Sequence, residues 1–246
     1  MRFARSCLAG FFFTAFALGS LVLGFILFPV LAVSGDGPVA RRRMRRFVRT
    51  TYRFFVWAAR ATWLFRVEMS PVDRERLASL RGHVIVANHI SLIDIIILIA
   101  YLGDSTAIAK AAAARNPFYS RIVRSAFLVN DDPEMVLEEA DKLLSDGVNL
   151  IVFPEGTRTP TEAVDRRLRR GAAQIALAAG VPIQPITIAC DPPVLGKGQP
   201  WHDVGSRTIV YTLAAGEKIA AQPSSERSHA AAAELTARIG RSLFGD

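Results

Sequence analysis

Residues 84–99 constrain this chain more than any other stretch. Val84 to Ala87 form a short apolar, mostly β-branched run, Asn88-His89-Ile90-Ser91 interrupts it, and after Asp94 the apolar pattern resumes as Ile95 to Ile99. A run of that length bounded by polar residues predicts a buried strand, and Ser91 followed three residues later by Asp94 predicts a helix N-terminus. His89 then falls in the turn between strand and helix, where open α/β sheets place ligands and reactive groups. Asp94, five residues on, is close enough to reach back to the imidazole. The same spacing also suits a capping box in which Asp94 only satisfies backbone N–H groups, with His89 an ordinary loop histidine.

The remainder repeats this alternation. Strands are predicted over 67–69, 83–87, 106–110, 126–129, 149–153, 183–189 and 207–213, with helices near 92–101, 117–125, 133–145, 168–179 and 226–243. That order predicts an α/β fold with a mostly parallel sheet flanked by helices, and the two late strands with no helix between them predict a mixed edge. The 246 residues suffice for one such domain plus an appendage.

Charge is divided unevenly. Of the net charge of +8, residues 1–66 carry +10, from eleven Arg and the single acid Asp36, so residues 67–246 carry −2. A nucleic-acid-binding domain concentrates positive charge on its folded part, so that class is excluded. Two Cys and four His in unrelated positions exclude a disulfide framework and have no zinc-site spacing, so no metal is expected.

The basic segment has its own organisation. Residues 7–33 are uncharged and apolar, and as a helix they would extend roughly 40 Å, beyond the roughly 30 Å of a bilayer core. A membrane anchor is expected, spanning or re-entrant at Pro29; a cleaved signal peptide fits less well because the apolar run is long and arginines follow it. Residues 39–66 predict an amphipathic basic helix along a membrane surface, with Arg42, Arg46, Arg49, Arg53 and Arg60 on one side and Tyr52, Trp57 and Trp63 suited to the interface. A solvated helix packed on the following domain is the alternative. The expected division is 1–66 for membrane contact and 67–246 for the α/β domain, with the arginines placing that domain on the cytoplasmic side.

A second motif, Phe153-Pro154-Glu155-Gly156-Thr157-Arg158, again follows an apolar run. Gly156 permits positive φ or close approach of a ligand, and Arg158 is a permanent cationic fork suited to an anion. Glu155 paired with Arg158 in a rigid turn is the structural alternative.

Over about residues 80–190 the sequence resembles the glycerolipid acyltransferase family, the one that includes bacterial 1-acylglycerol-3-phosphate acyltransferase. The resemblance rests on Asn88-His89-x-Ser91-x-x-Asp94, Phe153 to Arg158, Leu168-Arg169-Arg170-Gly171 and Val181 to Ile186, in family order. It implies transfer of a fatty acyl group from acyl-CoA or acyl-carrier protein to a lipid hydroxyl at the bacterial inner membrane, as in phospholipid biosynthesis. His89 would be the general base and Asp94 its partner. Arg158 would bind an acceptor phosphate, Glu155, Gly156 and Thr157 would shape the pocket, and Lys110 and Arg169 match family basic positions. No G-x-S-x-G elbow is present, consistent with direct attack by the alcohol.

One departure bears on the acceptor. Family members acting on glycerol phosphates usually end the fourth-strand motif in a basic residue, where this chain has Asn130 or Asp131. A non-phosphate acceptor, such as an aminolipid, a glycolipid or a polyene-type lipid, is therefore an alternative substrate. A thioesterase and a catalytically silent lipid-binding protein are the alternative functions.

Overall fold

A computed structural model describes residues 2–22, 37–115, 120–130, 132–159, 167–221 and 229–245. Two helices, α1 (Arg2–Val22) and α2 (Pro38–Ala61), precede the first strand. Then follow β1 (Phe65–Glu68), α3 (Pro71–Ser79), β2 (Val84–Ala87), α4 (Asp94–Tyr101), β3 (Ser105–Lys110), α5 (Ala111–Arg115), α6 (Ser120–Ala126) and β4 (Leu128–Asn130). The chain continues through α7 (Pro133–Ser145), β5 (Asn149–Val152), α8 (Gly171–Ala179), β6 (Ile183–Asp191), β7 (Ile209–Ala215) and α9 (His229–Phe244).

The seven strands form one sheet in the order β1-β7-β6-β2-β5-β3-β4. Strands β6, β2, β5, β3 and β4 are mutually parallel, while β7 is antiparallel to β6 and parallel to β1. The mixed edge read from the sequence is thus present. Five parallel strands direct their carboxyl ends to one edge, so the turns after β2 and β5, which are hydrogen-bonded neighbours, lie side by side.

Alternation along β2 explains the layers. Ile85 and Ala87 join a core with residues of α1, α2 and α4, whereas Val84 and Val86 join a second core with α7, α8 and α9. All four are fully buried, and each large side chain so buried contributes about 1.5–3 kcal/mol. The α7 start was legible: Asp132 accepts from Glu134 N–H at 2.8 Å and Pro133 opens the helix. Helix α3 was not expected, although Ser70, accepting from Asp73 N–H at 3.0 Å, and Pro71 give the same signal. With Leu77 as its one buried residue, α3 has too little apolar periodicity to be seen. The five-residue α5 was likewise missed.

The N-terminal helices differ in extent from the expected segments and pack on the fold. Among the described residues no helix is long and apolar enough to cross a membrane. Residues 23–33 of the expected anchor lie outside the described residues. Helix α1 packs on the fold: Ala9 and Phe12 are buried in the shared core, and the Arg5 guanidinium donates to the carbonyls of Trp63 and Leu64 at 3.1 and 3.0 Å. The second helix ends at Ala61, not 66, and is both basic outside and packed inside. Arg42, Arg46, Arg53 and Arg60 are exposed, whereas Arg45 is 8% exposed and grips the Asp104 carboxylate at 2.8 and 3.1 Å. Arg49 is half-buried, and burial, helped by neighbouring Arg53 and Arg81, lowers its pKa. Tyr52, expected at the membrane interface, instead lies against Phe16 of α1 with ring centroids 6.1 Å apart, and burial pushes its hydroxyl up to about 12. Trp57 and Trp63 do point outward.

Candidate active site

The turn after β2 is shaped by side chains that imitate backbone. Asn88 accepts from Ile188 N–H at 2.6 Å through Oδ1 and donates to Ile188 C=O at 2.7 Å through Nδ2. This continues the β2–β6 ladder for one more residue and releases the main chain of His89 to turn away. Both backbone groups of His89 are taken up by the turn after β5. Its N–H donates to Glu155 Oε1 at 2.7 Å, and its C=O accepts from Thr159 N–H at 2.8 Å. Glu155, 7% exposed, therefore joins the two motifs.

Asp94 is completely buried. Its Oδ2 accepts from Ile90 N–H and Ser91 N–H, each at 2.8 Å, and contacts His89 Nδ1 at 2.9 Å, while Oδ1 accepts from the Ser91 hydroxyl. The capping role and the pairing with histidine are thus carried by one carboxylate. An acceptor-only carboxylate among donors requires the proton on Nδ1, which leaves the Nε2 lone pair as the basic nitrogen. The ring is stacked on Phe153, centroids 4.1 Å apart and planes 18° from parallel, and its side chain is 20% exposed. A fixed imidazole with an accessible Nε2 at the carboxyl edge of a sheet can take a proton from a bound hydroxyl.

The second motif divides its tasks. Gly156 has φ +66, and a Cβ there would lie 2.7 Å from Arg169 Nε, so the glycine makes room for that side chain. The Arg169 N–H also donates to Pro154 C=O at 2.8 Å. Thr157 is exposed. Arg158 Nη1 donates to the carbonyls of Leu195 at 2.9 Å and Gly196 at 3.2 Å, leaving three N–H donors on Nε and Nη2. The rigid-turn alternative thus gives way to two outward ties, Glu155 to His89 and Arg158 to the 192–199 loop. Lys110 is exposed at the end of β3, at the same edge but across β5 from His89, and pairs in register with Asn130 of β4. Asp131, the other residue at the departure from the family pattern, lies outside the described residues.

Two groups were missed by sequence reading. Tyr211 of β7 is fully buried, faces Ser91, Asp94 and Cys190, and burial pushes its hydroxyl well above the ordinary range. Cys190, opposite Tyr211 in the β6–β7 register, donates its thiol to Pro192 C=O at 3.3 Å, and burial pushes that thiol up as well. Only the antiparallel pairing of β6 with β7 brings these residues under the β2 turn, and no local signal marks them.

Residues 69–189 match the model of the family described as Acyltransferase. Over 199 residues the chain is 25% identical to a 1-acyl-sn-glycerol-3-phosphate acyltransferase of Pseudomonas aeruginosa, covering 78% of this chain and 70% of the relative. It is 33% identical to a lyso-ornithine lipid O-acyltransferase of the same organism over 109 residues, covering 42% of each. The crystal structure of the 1-acyl-sn-glycerophosphate (LPA) acyltransferase PlsC from Thermotoga maritima superposes with a TM-score of 0.69 at 24% identity, covering 99% of this chain and 95% of that one. The fold is therefore shared over nearly the whole length.

Proposed function

We propose, from the premise that this chain belongs to the Acyltransferase family and is an acyltransferase, that it esterifies the free hydroxyl of a 1-acylglycerol-3-phosphate-type lysolipid. Acyl-CoA or acyl-carrier protein is the donor, and no cofactor takes part. The observation that carries this reading is the His89–Asp94 contact at 2.9 Å, with the ring pinned and Asp94 saturated by donors. His89 Nε2 removes the hydroxyl proton as the oxygen attacks the thioester carbonyl carbon. The C–S bond breaks as the tetrahedral intermediate collapses, and the imidazolium returns its proton to the departing thiolate. Asp94 holds the tautomer and steadies the imidazolium. Arg158 offers its remaining donors to the acceptor phosphate, with Lys110 and Arg169 adding positive charge and Glu155, Gly156 and Thr157 forming the wall.

Residues 1–66 serve as the membrane-contacting part and 67–246 as the catalytic part, at the cytoplasmic face of a bacterial inner membrane. Exposed Phe11, Leu18, Phe54, Trp57 and Trp63, with arginines among them, support an interfacial seat. A second reading, a non-phosphate or amino-bearing acceptor, is favoured by Asn130, which puts a neutral residue beside Lys110, and by the similarity to the lyso-ornithine lipid enzyme.

Mass-spectrometric product analysis with acceptors with and without phosphate tests both readings. Esterified 1-acylglycerol 3-phosphate as the main product, lost in His89→Ala, is the expected result. Preferential esterification of a lyso-aminolipid transfers the assignment to the second reading, and free fatty acid as the main product overturns both.

A further inference from the structure

The segment 192–204 between β6 and β7 runs from the two catalytic turns to the N-terminal helix. At one end the Leu195 carbonyl accepts from Leu92 N–H at 3.1 Å and from Arg158 Nη1 at 2.9 Å, and the Gly196 carbonyl takes the same Nη1 at 3.2 Å. Leu195 is 6% exposed and adopts φ +58. A leucine in the left-handed region is held there by its surroundings, at a cost of order 1 kcal/mol or more. At the other end the Trp201 ring lies on α1. A Cβ on Gly10 would come within 3.2 Å of it, Phe13 is 5.8 Å away between centroids, and the His202 carbonyl accepts from the Ser6 hydroxyl at 2.8 Å. Gln199 Oε1 accepts from Gly196 N–H at 2.8 Å, stiffening the span between the two ends.

We infer that Trp201 is a positioning residue for acceptor binding: seated on α1, it fixes the 192–204 strap, and the strap's carbonyls hold the Arg158 guanidinium in the orientation that takes the acceptor. This rests on the proposal that Arg158 binds the acceptor headgroup. Two carbonyls on one nitrogen fix the plane of the fork, so its other edge is set before the ligand arrives and less ordering is lost on binding. Five residues lie between Leu195 and Trp201, too few for displacement at one end to be absorbed before the other. The first helix thereby gains a role in the affinity of a site it does not touch.

Trp201 is half-exposed, so a simple bilayer contact must be separated from this role. The full chain in detergent, given acyl-CoA and a short-chain 1-acylglycerol 3-phosphate below its micellar concentration, removes the bilayer from the assay. Trp201→Ala is expected to raise the acceptor KM about tenfold, the scale of one hydrogen bond's worth of orientation, with kcat within twofold and the donor KM unchanged. Trp201→Phe restores most of it. Gly10→Leu, which pushes the ring off its seat, reproduces the loss even if Trp201→Ala fails to fold. In an Arg158→Ala background Trp201→Ala adds nothing. An effect of Trp201→Ala on vesicles but not on the monomeric acceptor overturns the inference. If Arg158→Ala itself leaves the acceptor KM unmoved, the headgroup reading fails and the inference fails with it; a raised KM in Arg158→Ala alone refutes only the role of Trp201.

Discussion

Replacing Asp94 by Asn isolates the charge of the carboxylate from its shape. Oδ2 faces three donors, His89 Nδ1–H and the Ile90 and Ser91 N–H groups, and Oδ1 faces the Ser91 hydroxyl. An asparagine has one workable orientation here. Its carbonyl oxygen must take the Oδ2 place, and its NH₂ must face Ser91, whose hydroxyl can rotate from donor to acceptor. The turn and the Nδ1–H tautomer then survive, while the negative charge beside the imidazolium is lost. At a charge separation of about 4 Å and an effective dielectric constant of about 20, that charge is worth about 4 kcal/mol in the transition state, or about 10³ in kcat. The change from charged to neutral hydrogen bonds costs about 1–3 kcal/mol of stability. Purified enzyme and radiolabelled acyl-CoA give kcat, and thermal melting shows whether the fold is kept. A folded Asp94→Asn protein within tenfold of wild-type kcat would refute the claim that the carboxylate steadies an imidazolium.

Glu155 acts through the backbone of His89, so Glu155→Gln, which keeps an acceptor for that N–H, should retain most activity. Glu155→Ala leaves a buried donor unpaired and should lose about 1–3 kcal/mol of stability together with activity; equal losses in the two variants, read by melting and transfer assays, count against the link. Burial raises the Cys190 thiol, so its reactive thiolate is scarce at neutral pH. In a Cys7→Ser background its alkylation by iodoacetamide should keep rising with pH through pH 9, and a plateau below pH 9, followed by mass spectrometry, contradicts the assignment.

Apolar periodicity was enough to read the strands of the sheet and its mixed edge, and spacings of three to five positions put His89 and Asp94 within reach of each other while leaving pairing and capping both open. The sequence's readings of partners across longer separations were less secure. Arg45 was given no partner by the sequence, and it is buried on Asp104 because α2 packs along α4 and the loop that follows it. Tyr52 looked interfacial and lies against α1. A Glu155–Arg158 pair was the alternative the sequence left open, but the adjacency of β5 to β2 gives Glu155 the His89 backbone, and the return of the chain from β6 gives Arg158 the carbonyls of Leu195 and Gly196. Nothing local marks Tyr211 as the residue beneath the β2–α4 turn. Short-range hydrogen bonds and amphipathic periods are written along the chain; which distant donor meets which acceptor is set by strand order, and that order is fixed only when the two cores close on either face of the sheet.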